Sequence, residues 1–368
     1  MTQKFIVFNI TDRCNLNCSY CYANNKNCNS MKLDDMEKAI KDAYKDNTII
    51  DIIFMGGEPL LEIDKIKALY GFIEDNGYFF NPIVGKGIAQ INIVTNGTLL
   101  TDEIFGWLKD KEEYVTCRLS YDGNKEAQNK HRCNSYDLIP LQRYLTEYSK
   151  ASINIVIMED NIPTLADDII NLHKIKSDVN IHSMRAQGVT YSKDCLKEYN
   201  RQLKKLYDYY VENIEYYPCS LFTGDYFLSL KFDLKDDCVC KESNLFYRCD
   251  GTSKHCNYFL LHDIDVDTKE LKDLVKMPNK CEDCILKYNC CYCYAVNHAF
   301  TGDPTIPSTS NCEFAMLEAY YNSKYILEKC KYYEDNNSDV LKEFFINAKE
   351  LAYKVSCYLE DRLNEFVT

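Results

Sequence analysis

Cys14, Cys18 and Cys21 lie in the run Thr11-Asp-Arg-Cys-Asn-Leu-Asn-Cys-Ser-Tyr-Cys-Tyr22. Three thiols so close together supply three ligands to one metal centre and leave a corner of it open. A four-iron cube held this way exposes one iron to a small molecule, whereas a structural zinc site or an electron-transfer cluster normally takes four protein ligands. A zinc knuckle or a loop of buried thiols is the other reading of the triplet. Downstream, Met55-Gly-Gly-Glu-Pro59 carries two glycines that permit a tight backbone path, presenting main-chain groups and Glu58 toward a ligand. Thr95-Asn96-Gly97 and Ser120-Tyr-Asp-Gly123 would each read as a plain turn if met alone.

The elements between these motifs explain their order. β-rich runs at Lys4–Asn9, Ile50–Met55, Gln90–Thr95, Val115–Ser120, Ser152–Met158 and Asp178–Met184 alternate with helical periodicity. The helical stretches are Leu33–Asp46, Glu62–Asn76, Asp102–Asp110, Tyr136–Ser149, Leu165–His173 and Ser192–Ile214. Alternation of this kind calls for parallel strands joined by crossover helices. Six units are too few for a closed eight-fold barrel, so the expected fold is α/β, a partial (β/α)6 TIM-like barrel with an open mouth. Chemistry in such barrels gathers at the carboxyl ends of the strands, and each motif falls directly after one.

The spacing Cys-x3-Cys-x-Tyr-Cys, followed by Gly-Gly-Glu-Pro after the second strand, resembles the radical S-adenosylmethionine (SAM) family. The resemblance implies a four-iron cluster on Cys14, Cys18 and Cys21 whose open iron binds the amino and carboxylate groups of SAM. It implies further that Tyr20 lies near the adenine, that Gly56, Gly57 and Glu58 receive the amino group, and that Thr95, Asn96, Ser120 and Asp122 approach the ribose and carboxylate. Arg132 matches a carboxylate-binding arginine and Asn161 a position near the adenine. The departure is Gln128, where relatives often carry a histidine. A surface ion pair is the other reading of Arg132.

Beyond about residue 216 the periodicity gives way to cysteines: Cys240, then Gly251 and Cys256, then Cys281-Glu-Asp-Cys284, Cys290, Cys291-Tyr-Cys293 and Cys312. This succession is similar to the SPASM extension of radical SAM enzymes, which implies two auxiliary four-iron clusters and three in all. The nearer would use Cys240, Cys256 and Cys293 with Cys238, or Cys219 in its place; the distal would use Cys281, Cys284, Cys290 and Cys312. Cys291 competes with Cys293, because the family's terminal Cys-x3-Cys is one residue short here. Paired Cys-x2-Cys elements also suit zinc. The expected division is a barrel over 1–215, a cysteine-rich domain over 216–315 and a helical segment over 316–368, with apolar residues Leu341, Phe344, Phe345, Ala348, Leu351 and Val355 on one helical face.

Composition narrows the function. Cysteine is 20 of 368 residues, below the ~8–10% of a secreted disulfide scaffold. Neither a signal peptide nor an apolar run of membrane-spanning length is present, so the expectation is a cytoplasmic protein with no membrane partner. A net charge of -13 argues against a nucleic-acid partner. SPASM-bearing relatives mostly modify peptides or proteins, which implies an oxidoreductase that cleaves SAM to a 5′-deoxyadenosyl radical, takes a hydrogen atom from a ribosomal peptide and installs a thioether or carbon–carbon cross-link. An external low-potential electron donor would feed it. Two enzymatic alternatives are a formylglycine-forming anaerobic sulfatase-maturase type and a peptide epimerase. The first needs an acidic base directly after the cysteine matched by Cys256, and Asn257 stands there. A non-enzymatic iron–sulfur or zinc protein for electron transfer or assembly is the third reading. No separate leader-binding module precedes Lys4, so a leader would bind the barrel, the C-terminal helices or a partner protein.

Overall fold

The computed structural model describes residues 3–21, 23, 29–46, 48–186, 188–223, 244–266, 271, 274, 278–287, 293–309, 311–336 and 342–367. By packing, the chain groups into two compact units, Met1–Asn154 with Val239–Val266, and Ile155–Cys238 with Asp267–Thr368.

In the first unit, β1 (Gln3–Thr11), β2 (Ile49–Gly56), β3 (Gly87–Thr95), β4 (Val115–Ser120) and the start of β5 (Ser152–Ile157) pair in parallel, in the order β5-β4-β3-β2-β1. The helices between them are α1 (Leu33–Tyr44), α2 (Ile63–Asp75), α3 (Asp102–Asp110), α4 (Lys125–His131) and α5 (Leu141–Glu147). The apolar residues alternate as a half-covered sheet requires: Ile50, Ile52 and Phe54 are buried, and so are Ile91 and Ile93, and Val115, Cys117 and Leu119. Their neighbours Asp51, Asn92, Thr116 and Arg118 lie on the other face and stay partly open. Helix starts follow capping chemistry: Thr101 accepts from Ile104 N–H, and Asn124 from Ala127 N–H.

The expected helix over Tyr136–Ser149 is broken. A 3-10 turn at Tyr136–Leu138 precedes Pro140, which disfavours helix in the residue before it, and α5 starts only afterwards. The short α4 was not foreseen. Neither was a further pair of strands, β7 (Asn244–Tyr247) and β8 (Ser253–Lys254), of which β7 lies parallel to β1, with Phe5 opposite Asn244, and β8 returns antiparallel. Helix α8 (Asn257–Leu261) follows them.

The second unit holds the end of β5, then α6 (Leu165–Ile175), β6 (Asn180–Arg185), which neighbours β5 in the sheet, and α7 (Lys193–Glu212). Short helices α9 (Asn279–Glu282) and α10 (Tyr294–Thr301) lead to the long α11 (Cys312–Asp335) and α12 (Lys342–Val367). The inner stripe of α12 is Ala348, Ala352, Val355, Leu359 and Leu363, buried at helical spacing. Leu341 lies outside the described residues. Arg185, at the end of β6, forms a two-pronged ion pair with Glu318 of α11 (Nε–Oε1 2.8 Å), and the Tyr199 hydroxyl donates to the same carboxylate. No described helix is long and apolar enough to cross a membrane.

Candidate functional site

The cysteine loop leaves β1 at Thr11 and is gripped by the turn after β2. Gly57 N–H donates to Thr11 O (2.7 Å) and Glu58 N–H to Arg13 O (2.8 Å). A Cβ on Gly57 would sit 1.9 Å from Arg13 O, and one on Gly56 2.5 Å from Thr11 O, so the two glycines exist to let the chain segments meet. Gly56 also has φ +131°, open only to glycine. The pair therefore fixes the chain immediately before Cys14.

Glu58 points inward and is buried. Its carboxylate accepts from Thr95 Oγ1 (2.6 Å), Asn96 N–H (2.8 Å) and Leu60 N–H (3.0 Å). Complete burial pushes its pKa up, while these donors and the Arg132 charge pull against that shift. The side chain thus clamps the end of β3. Asn96 carries the connection on: its Nδ2 donates to Asn15 Oδ1 (2.9 Å), inside the cysteine loop, and Asn15 donates to Thr98 Oγ1 (2.7 Å).

The other wall comes from β4. Asp122 is buried, accepts the Tyr20 hydroxyl and pairs with Arg132 Nε at 3.0 Å. The Arg132 guanidinium lies 5.2 Å from the centre of the Tyr20 ring. Burial works against the charge of Arg132, but Asp122, Tyr20 and Cys18 outweigh it and hold its pKa above the usual value. Arg132 is thus an interior ion pair that ties the cysteine loop to β4. Gln128 serves this wall too, accepting from Asp122 N–H (2.9 Å) and donating to Ser135 Oγ (2.8 Å). Ser19 joins it through its hydroxyl, 2.8 Å from His131 Nδ1, and its N–H, which donates to His131 O at 2.9 Å. Ser120 stands on the partly open face of β4.

The donor set suits a thiolate-bound cluster. Burial above all, with Cys21, Cys14 and Cys133, raises the Cys18 thiol to about 11 against the lowering effect of Arg132, so the thiols of the loop feel one another. Among the described residues no three His, Cys, Asp or Glu side chains converge as a single metal ion requires. In the second unit, Asn161 is occupied by its own turn, Oδ1 accepting from Met158 N–H and Nδ2 donating to Val156 O, both at 2.9 Å.

Of the later cysteines, Cys256 is buried at the start of α8; Cys281 lies on α9, Cys284 just after it, Cys293 at the start of α10 and Cys312 opens α11. Cys238, Cys240, Cys290 and Cys291 lie outside the described residues. Cys219 is buried, its N–H donating to the Tyr210 hydroxyl at 2.9 Å. One pair escaped the sequence reading: Asn9 of β1 donates through Nδ2 to Tyr247 O (3.1 Å) and to Asn257 Oδ1 (2.9 Å). A buried asparagine in a strand, where that residue is disfavoured, was the available signal.

Residues 8–160 match the family model of the radical SAM superfamily. Over that span the chain resembles a radical SAM domain. An uncharacterized protein of Methanocaldococcus jannaschii is 28% identical over 240 residues, 61% of this chain and 80% of that protein. The GTP 3′,8-cyclase of Clostridium botulinum is 28% identical over 181 residues, 46% of this chain and 53% of the cyclase, so the chain spans about half of that enzyme's length. Among solved structures, anSMEcpe with bound AdoMet and a Cp18Cys peptide shares the fold with a TM-score of 0.66 at 16% identity, over 96% of this chain and 99% of its own. Streptococcus suis SuiB, solved with its precursor peptide SuiA, does so with a TM-score of 0.56 at 20% identity, over 84% and 75%. The likeness extends through the C-terminal half, so the matched residues 8–160 sit in the α/β fold, with its partial barrel and C-terminal helices, that those proteins share.

Proposed function

We propose that the chain is a radical SAM enzyme with a SPASM-type C-terminal region that modifies a peptide, joining residues oxidatively through a thioether or carbon–carbon link. The observation that carries this reading is the cysteine loop gripped between the β2 turn and the Tyr20–Asp122–Arg132 group, in a fold shared over 96% and 84% of the chain with two proteins solved with peptides. When bound at Cys14, Cys18 and Cys21, the cluster and SAM together supply a 5′-deoxyadenosyl radical. The residues of the chain do the rest. The Gly56–Gly57 turn sets the loop, Glu58 braces Thr95 and Asn96, Asp122 and Arg132 hold Tyr20 in place, and Ser120 remains open toward a ligand.

Two auxiliary clusters would be held by Cys238, Cys240, Cys256 and Cys293, and by Cys281, Cys284, Cys290 and Cys312, and would accept the electron left after bond formation. The formylglycine alternative is weakened by Asn257, because its amide oxygen already accepts from Asn9 and an amide takes no proton at neutral pH. An external low-potential donor, a peptide partner and a cytoplasmic location belong to the same proposal. The test is anaerobic incubation of reconstituted enzyme with dithionite, SAM and peptides encoded beside it. A peptide lighter by two hydrogens supports the cross-link. Deuterium uptake without other mass change makes it an epimerase, and failure to release 5′-deoxyadenosine removes the reading altogether.

A further inference from the structure

Arg118 is a half-buried cation that the arrangement above leaves unused. On β4, Val115, Cys117 and Leu119 are fully buried, while Thr116, Arg118 and Ser120 occupy the opposite, partly open face. Adjacent strands add polar groups there. Asn92 of β3 accepts the Thr116 hydroxyl, and Ser152 and Asn154 of β5 stand opposite Arg118 and Ser120 in the register. The guanidinium makes one hydrogen bond, Nε to Ser152 Oγ at 3.3 Å, and among the described residues no carboxylate pairs with it. Arg132, which is buried, and Arg185, half-buried like Arg118, each hold a carboxylate. A second group beside Arg118 is also unsatisfied: Asn154 Oδ1 is buried without a partner.

A guanidinium keeps its charge in a protein, and burying it unpaired is costly. Its planar fork matches a carboxylate with two parallel N–H···O bonds. An amide can turn, so the Asn154 side chain can present its NH2 to the same anion. The residues that β2 to β5 place on this face contribute one cation, Arg118, and one carboxylate, Asp51, which lies toward the start of β2 and accepts from Gln3 Nε2; one cation is enough for a carboxylate and too few for a triphosphate of about four charges. In a chain of net charge -13, an acidic group needs a dedicated cation to be drawn inside.

We propose that Arg118, with Asn154, binds a carboxylate of the substrate, an acidic side chain or a chain-terminal carboxylate. This deepens the peptide reading and rests on it. The test titrates the reconstituted, SAM-loaded full chain with N-acetylglutamate and N-acetylglutamine by calorimetry, in wild type, Arg118→Gln and Arg118→Lys. The acid should bind wild type at least about tenfold more tightly than the amide, the preference should fall below about threefold in Arg118→Gln, and lysine should restore part of it. Equal binding of the two probes by wild type, or a preference unchanged in Arg118→Gln, overturns the assignment. A loss of SAM affinity of about tenfold in Arg118→Gln gives the anion to SAM and equally overturns it. Arg118→Met, melted without ligand, should be at least as stable as wild type, because it removes a half-buried charge that no carboxylate offsets. A clear drop in its melting temperature would make Arg118 a structural residue and end the proposal. If wild type releases 5′-deoxyadenosine yet shows no preference for the acid, the assignment alone falls and the radical reading stands.

Discussion

At the scale of residues, Asp122 decides how the cysteine loop and β4 hold together. Its carboxylate is the common partner of Tyr20 and Arg132, and all three are withdrawn from water to different degrees. Replacing it by asparagine leaves the guanidinium without its counter-charge and should cost about 3–5 kcal/mol of folding stability, measured by urea unfolding. A surface pair such as Lys125–Asp137, exposed on both sides, should lose at most about 1 kcal/mol in the same assay. Arg132 has a second effect through Cys18. The ligand-free Cys18 thiol, raised to about 11, stays protonated at neutral pH, so metal uptake must displace a proton. Loading of cadmium, followed by thiolate charge-transfer absorbance, should therefore strengthen as pH rises from 7 to 9. Because the Arg132 charge lowers the pKa of Cys18, Arg132→Gln should move that profile to higher pH, and an unmoved profile would show that the two groups are uncoupled.

At the scale of elements, the turn after β2 is the piece that makes a site out of a loop. Gly57→Ala places a methyl group 1.9 Å from the Arg13 carbonyl oxygen, a contact only backbone movement relieves. The expected outcome is a folded protein, by circular dichroism, that loses the iron of its N-terminal centre, whereas Gly106→Ala, with nothing near its Cβ, should retain it. The sequence showed the two glycines and the turn, but not that the turn grips residues 11–13, because that contact joins segments more than forty positions apart. The bounds of β4 and α3 were legible, since alternation and an N-cap are local signals. β7 was not: it is four residues long, has no alternation to reveal it, and owes its existence to β1, far away in the chain. Likewise Arg132 could be read as a surface charge until Asp122 and Tyr20 closed around it.

At the scale of the whole molecule, the cysteines divide by unit in a way that permits separate tests. The triplet and Cys256 belong to the first unit, and Cys281, Cys284, Cys293 and Cys312 to the second. If three four-iron cubes are bound, the anaerobically reconstituted chain should contain about twelve irons, by four per cube. Joint replacement of Cys14, Cys18 and Cys21 by alanine should leave about eight and abolish 5′-deoxyadenosine release. Replacing Cys281 and Cys284 should also leave about eight irons but preserve SAM cleavage in the absence of peptide, since the first centre does not need those thiols. Iron near four in the unaltered chain, with zinc making up the difference, would mean that the C-terminal cysteines build a structural zinc region. The electron released in an oxidative cross-link would then have no internal acceptor, and a redox-neutral outcome such as epimerisation would become the better account of the reaction.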